Sequence, residues 1–267
     1  LVGTRNGAFV YSSDGRSERW ELSEPMMKGS SVYSMALDLR CDPPRLLAAS
    51  NHWAWGRSVA RSDDMGKTWE QRTPGLSFPP DAAESAPNWV WDPQTGNPRR
   101  AEFLTVENVW SVKPGLAGQP GLIWAGTQPA GLFRSHDWGE SWEPVNALNY
   151  NEMRKYWYPS GGGASCIHSI EVDPRDGDRV YVSISSGGTY VTADGGNSWQ
   201  LCSHNAVATT KEARQFLESI ASMGPAFEVP EGVDPAAADE YHKFRLDPKN
   251  PDRRWGPAPI GVFRSDD

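Results

Sequence analysis

A chain of 267 residues with 26 basic and 34 acidic side chains carries a formal charge of −8. That balance argues against a nucleic-acid partner and against an anionic membrane surface, and no run of about 18 apolar residues offers a bilayer span. Cys41, Cys166 and Cys202 are odd in number and lack CxxC spacing. They predict no disulfide framework and no metal site, favour a reducing, cytoplasmic setting, and no motif calls for a cofactor.

In chain order, residues 1–4 and 8–11 predict two strands and 20–22 a third, a unit that lacks its first strand. The second unit has strands at 32–39, 45–50, 58–62 and 69–71. The third has 108–112, 122–126, 132–135 and 142–145, and the fourth 168–173, 179–185, 189–192 and 199–202. The fifth has 242–247 and 260–265. Between them Arg254-Trp255 reads as a poor strand, because Pro257 and Pro259 cannot donate to a ladder. Three long connections, 74–105, 147–165 and 203–240, join the last strand of one unit to the first of the next. The last of them holds the single predicted helix. Thr209 and Glu212 form its capping box, Ala213, Phe216, Leu217, Ile220 and Met223 its apolar face, and Gly224-Pro225 its end.

One short pattern recurs between the last two strands of a unit: Ser62-x-Asp64-x-Gly66-x-Thr68-Trp69, Ser135-x-Asp137-x-Gly139-x-Ser141-Trp142 and Thr192-x-Asp194-x-Gly196-x-Ser198-Trp199. A degenerate copy begins at Ser12 and a further one occupies 261–267. The aspartate and the hydroxyl can take up turn amides, the glycine permits positive φ, and the tryptophan opens the next strand with a large ring to bury. These are structural roles.

The pattern resembles the Asp box, or BNR repeat, of sialidases, xyloglucan-cleaving glycosidases, sortilin-type receptors and a photosystem assembly factor. The resemblance covers most of the chain. It implies an all-β fold, a β-propeller of four-stranded antiparallel blades with Asp-box turns. Residues 1–267 are then expected to form a single propeller domain, incomplete at both ends. Five units are visible, two of them incomplete, in an intact protein of six or seven blades. Successive box aspartates (64, 137, 194, 267) are 73, 57 and 73 residues apart, against about 40–50 per blade. The surplus is the three long connections, expected over one mouth of the channel, where loops on a rigid scaffold carry function.

Aligning the first strands on Leu37, Val112, Val172 and Leu246 and counting back four gives Tyr33, Asn108, His168 and His242. All four can hydrogen-bond at the loop-rich end. They form either a polar ring around a ligand or caps for buried backbone groups and channel water. Trp53, Trp55, Trp110, Trp157, Tyr156 and Arg154 complete the candidate ligand-binding set, with Trp89, Trp91, Tyr150 and Tyr158 in the same connections. Aromatic rings on an open face suit sugars; buried, they only pack loops. Glycoside hydrolysis needs a facing carboxylate pair, for which Asp92, Glu102, Glu107, Glu152, Asp239 and Glu240 are candidates. Resemblance to sialidases further implies an arginine triad, a tyrosine nucleophile and an Arg-Ile-Pro motif, and that motif is absent. The first expectation is a propeller binding a carbohydrate, another small molecule or a protein on its loop-rich face; the alternative is a sialidase-like or xyloglucanase-like glycoside hydrolase.

Overall fold

In the computed structural model, the described residues are 1–16, 18–86, 88–159, 163–202, 207–209, 211, 215, 242–258 and 261–266. They divide into two compact units, residues 1–78 with 105–144, and residues 79–104 with 145–267. Nearly all regular structure is β.

The first unit opens with two short ribbons, β1 (Val2–Thr4) with β2 (Gly7–Phe9), and β3 (Tyr11–Ser12) with β4 (Glu21–Leu22). Next comes a four-stranded antiparallel meander of β5 (Ser30–Asp38), β6 (Arg45–His52), β7 (Gly56–Ser62) and β8 (Glu70–Arg72). In the second unit follow α1 (Ala82–Ser85) and a hairpin of β9 (Trp89–Trp91) and β10 (Pro98–Arg100). The first unit then resumes with a second meander of β11 (Asn108–Pro114), β12 (Ile123–Gln128), β13 (Leu132–Ser135) and β14 (Glu143–Pro144). The second unit continues with α2 (Asn146–Asn149), a 3-10 turn (Glu152–Tyr156), and a meander of β15 (Ile167–Asp173), β16 (Asp176–Ile184), β17 (Gly188–Thr192) and β18 (Gln200–Leu201). Its last sheet contains β19 (Val207–Ala208), β20 (Arg245–Leu246), β21 (Arg254–Ala258) and β22 (Gly261–Ser265), in the order β19-β22-β21-β20.

The second strand of a meander is covered on both faces. Leu46, Leu47, Ala48, Ala49 and Ser50 of β6 are all buried, as is every residue of β12. Such strands lose the polar alternation of a half-exposed sheet. First strands end on a matching device. The Arg40 guanidinium grips Asp38 at 2.8 and 2.7 Å, and Arg175 grips Asp173 at 2.9 and 2.7 Å. Arg40 also donates to the carbonyls of Gln119 and Leu122 at 2.7 and 2.8 Å, which ties β5 to the loop before β12.

The three recurring turns are built alike. The Ser62, Ser135 and Thr192 hydroxyls donate to the aspartate two residues on, at 2.8, 2.7 and 2.6 Å, and accept the glycine amide at 2.8, 2.8 and 3.0 Å. Asp64, Asp137 and Asp194 each accept the amide four residues ahead at 2.9 Å, and also that residue's hydroxyl. Gly66, Gly139 and Gly196 have φ of 93°, 89° and 96°, a region that side chains rarely tolerate. The indoles of Trp69 and Trp199 close the turn by donating to the glycine carbonyl. The Thr68 amide and hydroxyl hold the Asp64 carboxyl near 2. Desolvation pushes Asp137 upward, but the Ser141 hydroxyl and amide outweigh it and bring it to about 2.

Two sequence expectations are corrected in the last sheet. β21 runs unbroken through Pro257. The Pro257 carbonyl accepts from the His242 amide, so the ring nitrogen faces the same side, beyond the two-residue pairing with β20, and no bond to β22 is lost. The outer strand, β19, comes from the 203–240 connection, which reading by length alone makes a loop. Thr209 donates amide and hydroxyl to the Val262 carbonyl beside β19. Apart from Thr209, Lys211 and Gln215, the predicted helix lies outside the described residues.

Candidate functional site

Strand register locates the equivalent positions. Ser62 pairs through Leu46 to Leu37, Ser135 through Ile123 to Pro114, Thr192 through Val180 to Val172, and Ser265 through Arg254 to Leu246. The counterpart of Leu37 is therefore Pro114 and not Val112, and counting back four reaches Trp110 in place of Asn108. The backbone gives the reason. The ladder slips at Tyr33, Trp110 and His168, one extra residue in each first strand, and such a bulge re-aims its side chain.

In the first unit the bulge rings meet. Tyr33 and Trp110 lie 4.5 Å apart, tilted by 35°. Beside them Asn108 accepts from Asn51 at 2.5 Å and from the Tyr33 hydroxyl at 3.4 Å, and donates to Gln128 at 2.9 Å. The Trp110 indole donates to the same Gln128 oxygen at 2.9 Å. Asn51 and Gln128 were not singled out from the sequence. The letters give no signal for them, because Gln128 stands opposite Asn108 only once the register of β11 and β12 is known. The neighbouring Glu107 reaches solvent, yet desolvation raises its pKa. Among described carboxylates with a shifted pKa it is the one raised; Asp38, Asp63, Asp64, Asp92, Asp137 and Glu140, for example, are lowered.

The turn from β6 to β7 carries Trp53 and Trp55, 87% and 77% exposed. Both rings are roughly parallel to that of His52, with centroids 5.7 and 6.2 Å away. The His52 Nδ1 accepts the amides of Ala54 and Trp55 at 3.1 and 3.3 Å, which fixes the turn and leaves both indoles facing water. His52 follows Asn51, so the turn continues the amide cluster along β6.

In the second unit the equivalent rings are His168 and His242, stacked 4.5 Å apart at 28°. Desolvation, then His242, lowers the pKa of His168 to about 4. The buried Cys166 thiol lies 3.5 Å from its Nε2. Among the described residues no three His, Cys, Asp or Glu side chains are grouped to hold a metal ion, and no helix is long and apolar enough to cross a membrane.

The open-face expectation fails for two residues. Trp157 is 2% exposed, donates to the Tyr190 hydroxyl at 3.0 Å and meets that ring edge-on. Arg154 is 1% exposed, lies 5.0 Å over Trp157, and is driven down to about 9 by burial. The 3-10 turn folds both inward, and a side chain on Gly187 would collide with Trp157 and Ile184. Tyr156 is half-buried, with the Lys155 amine 5.1 Å over its ring.

Four-stranded antiparallel meanders, each with the repeating turn between its last two strands, fit a β-propeller type of fold, and solved structures agree. The chain matches a GH74 enzyme of Niastella koreensis with a TM-score of 0.52 at 16% identity, over 97% of this chain and 31% of that one. It matches an ancestral GH74 enzyme at 0.51 and 16%, over 88% of this chain and 22% of the other. No family model matches the sequence. Over 82 residues, 29% of this chain, it is 35% identical to the oligoxyloglucan-reducing end-specific xyloglucanase of Emericella nidulans. Over 83 residues, 31% of this chain, it is 32% identical to a probable enzyme of the same description from Neosartorya fischeri. The matched stretch spans 9% of either relative's length.

Proposed function

We propose that this chain is part of a propeller that binds a glucan of the xyloglucan type on the Trp53–Trp55 turn. The three turns are read as Asp boxes and the sheets as blades of a six- or seven-bladed protein. The observation that carries the binding reading is the two indoles presented to water, each roughly parallel to the His52 ring, on a turn fixed by His52. Large exposed rings are costly unless a partner covers them, and an indole face suits the apolar CH face of a sugar. Asn51 precedes the turn on β6 and bonds to Asn108 of β11, which bonds to Gln128 of β12; these amides can take sugar hydroxyls. The relatives named for xyloglucan favour this ligand over the sialic acids that the turn pattern alone would equally allow.

Calorimetry of the chain with xyloglucan oligosaccharides tests the reading. Binding by the native chain and a loss of at least about tenfold in a Trp53→Ala/Trp55→Ala double variant are expected. No heat with the native chain, or full affinity in the variant, refutes it. A hydrolytic reading has its own support in the raised Glu107 carboxyl, the character required of a proton donor to a leaving oxygen. If it holds, reducing ends are released from xyloglucan and Glu107→Gln abolishes the release. Unchanged release by that variant removes Glu107 from the chemistry.

A further inference from the structure

The hairpin of β9 and β10 belongs to the second unit and shares no residue with the site above. Trp91 pairs with Pro98 and Arg100 with Trp89, so these four side chains occupy one face of the ribbon. The Trp89 indole donates to the Lys155 carbonyl at 2.8 Å, and its ring lies 5.5 Å from that of Tyr158. These two contacts fix the ribbon against the 3-10 turn and the residues that follow it. Trp91 and Tyr158 nevertheless remain 43% and 39% exposed. Arg100 and Lys155 are exposed as well, and neither makes an ion pair with a described carboxylate. The carboxylate of Asp92 accepts the amides of Gln94 and Thr95 within the hairpin loop at 2.8 and 3.4 Å, and the cation that acts on it is Arg99, not Arg100 or Lys155.

We propose that this ribbon binds an oligosaccharide that carries carboxylates, a uronic-acid glycan. Its sugar rings stack on Trp91 and Tyr158, and its carboxylates are held by Arg100 and Lys155. The argument is one of charge. A guanidinium matches a carboxylate with two parallel hydrogen bonds. On a chain of net charge −8 an anionic ligand is repelled except where cations stand uncompensated. A neutral glycan would cover the rings and leave both cations in water, so it gains nothing from them.

Calorimetry of the 267-residue chain with an oligogalacturonate at low salt is the test. Binding is expected, weakened by added NaCl. A neutral galactan oligosaccharide of equal length, used because a glucan could occupy the Trp53–Trp55 turn, should bind at least about tenfold more weakly, and Arg100→Gln and Trp91→Ala should each lose about tenfold at an unchanged Tm. A xyloglucan oligosaccharide should not compete. Any one of four results overturns the proposal: no heat with oligogalacturonate, equal affinity for the neutral glycan, full affinity in either variant, or competition by xyloglucan. Tighter binding of a polyglutamate peptide also overturns it, by making the ribbon a protein-docking surface. The two ligands are measured separately, so a failure of xyloglucan to bind counts against the earlier proposal alone.

Discussion

Tyr33 with Trp110 in the first unit and His168 with His242 in the second all stand four residues before equivalent first-strand positions, and in each pair the ring centroids lie 4.5 Å apart. The first pair is a phenol on an indole, and the indole passes a hydrogen bond to Gln128 within a cluster of amides. The second is two imidazoles, one of them pushed to about 4 by its surroundings. At Tyr33, Trp110 and His168 the backbone decides where the ring goes, through a bulge in the first strand. The side chain decides what the ring can do there. One position is thus a fixed polar wall in one unit and a proton-sensitive contact in the other.

Removing a ring should give the largest effect. Trp110→Ala loses a half-buried indole, its tilted contact with the Tyr33 ring and its bond to Gln128, at an expected cost of about 2–4 kcal/mol. Urea denaturation measures it. A cost below about 1 kcal/mol, the range of ordinary surface changes, would mean that the first pair is not part of the packing and that the comparison is empty.

Acid should separate the two pairs. The His168 imidazole is near 4 when folded, against 6.5 for the free group. Between those values the unfolded chain holds a proton that the folded chain does not, so stability rises with pH across the window. This contribution is intact above about pH 6.5, falls away toward pH 4 and is level below it. The aspartates of the turns act lower. Asp64 and Asp137 are depressed from 3.8 to about 2, so their contribution is complete above pH 3.8 and is lost as pH falls through 2. Urea midpoints at several pH values should slope between pH 7 and pH 4.5 in the native chain and flatten in His168→Phe. Equal slopes in both would exclude the imidazole as the source.

A smaller effect is expected where both units are alike. Asp137→Ala leaves the Ser141 amide and the Ser135 and Ser141 hydroxyls without their acceptor, at about 1–3 kcal/mol. Glucan binding should persist once the variant is folded. Loss of binding at an unchanged melting temperature would show the turn to be functional.

The parts legible in the sequence are those with short range. Ser62, Asp64 and Gly66 bond within five consecutive residues, so the turn can be read letter by letter, and the strands beside it follow. Register was not legible. Val112-Lys113-Pro114 mimics Val172-Asp173-Pro174, and the letters alone cannot reveal that β11 runs two residues further before its turn. β19 could not be read because its partner β22 lies more than fifty residues away. Burial was not legible at Trp157, which looks like the exposed Trp53 as a letter. One follows a 3-10 turn that folds it inward onto Tyr190, and the other sits at the tip of a hairpin with nothing to cover it.

That last contrast sets the smallest expected change in stability. Trp53 and Trp55 touch little besides His52, and a tight hairpin holds its shape through its ladder, Asn51 against Arg57 and His52 against Gly56. Replacing both with alanine should move unfolding by no more than about 0.5 kcal/mol, the usual bound for exposed sites. The same variant should lose its glucan. A side chain that serves the fold cannot be removed at so little cost, and one that serves neither fold nor ligand would leave both measurements unchanged. A double variant that unfolds more easily by about 2 kcal/mol or more would place these indoles with Trp110, among the rings that hold the sheets, and a different surface would then have to carry the ligand.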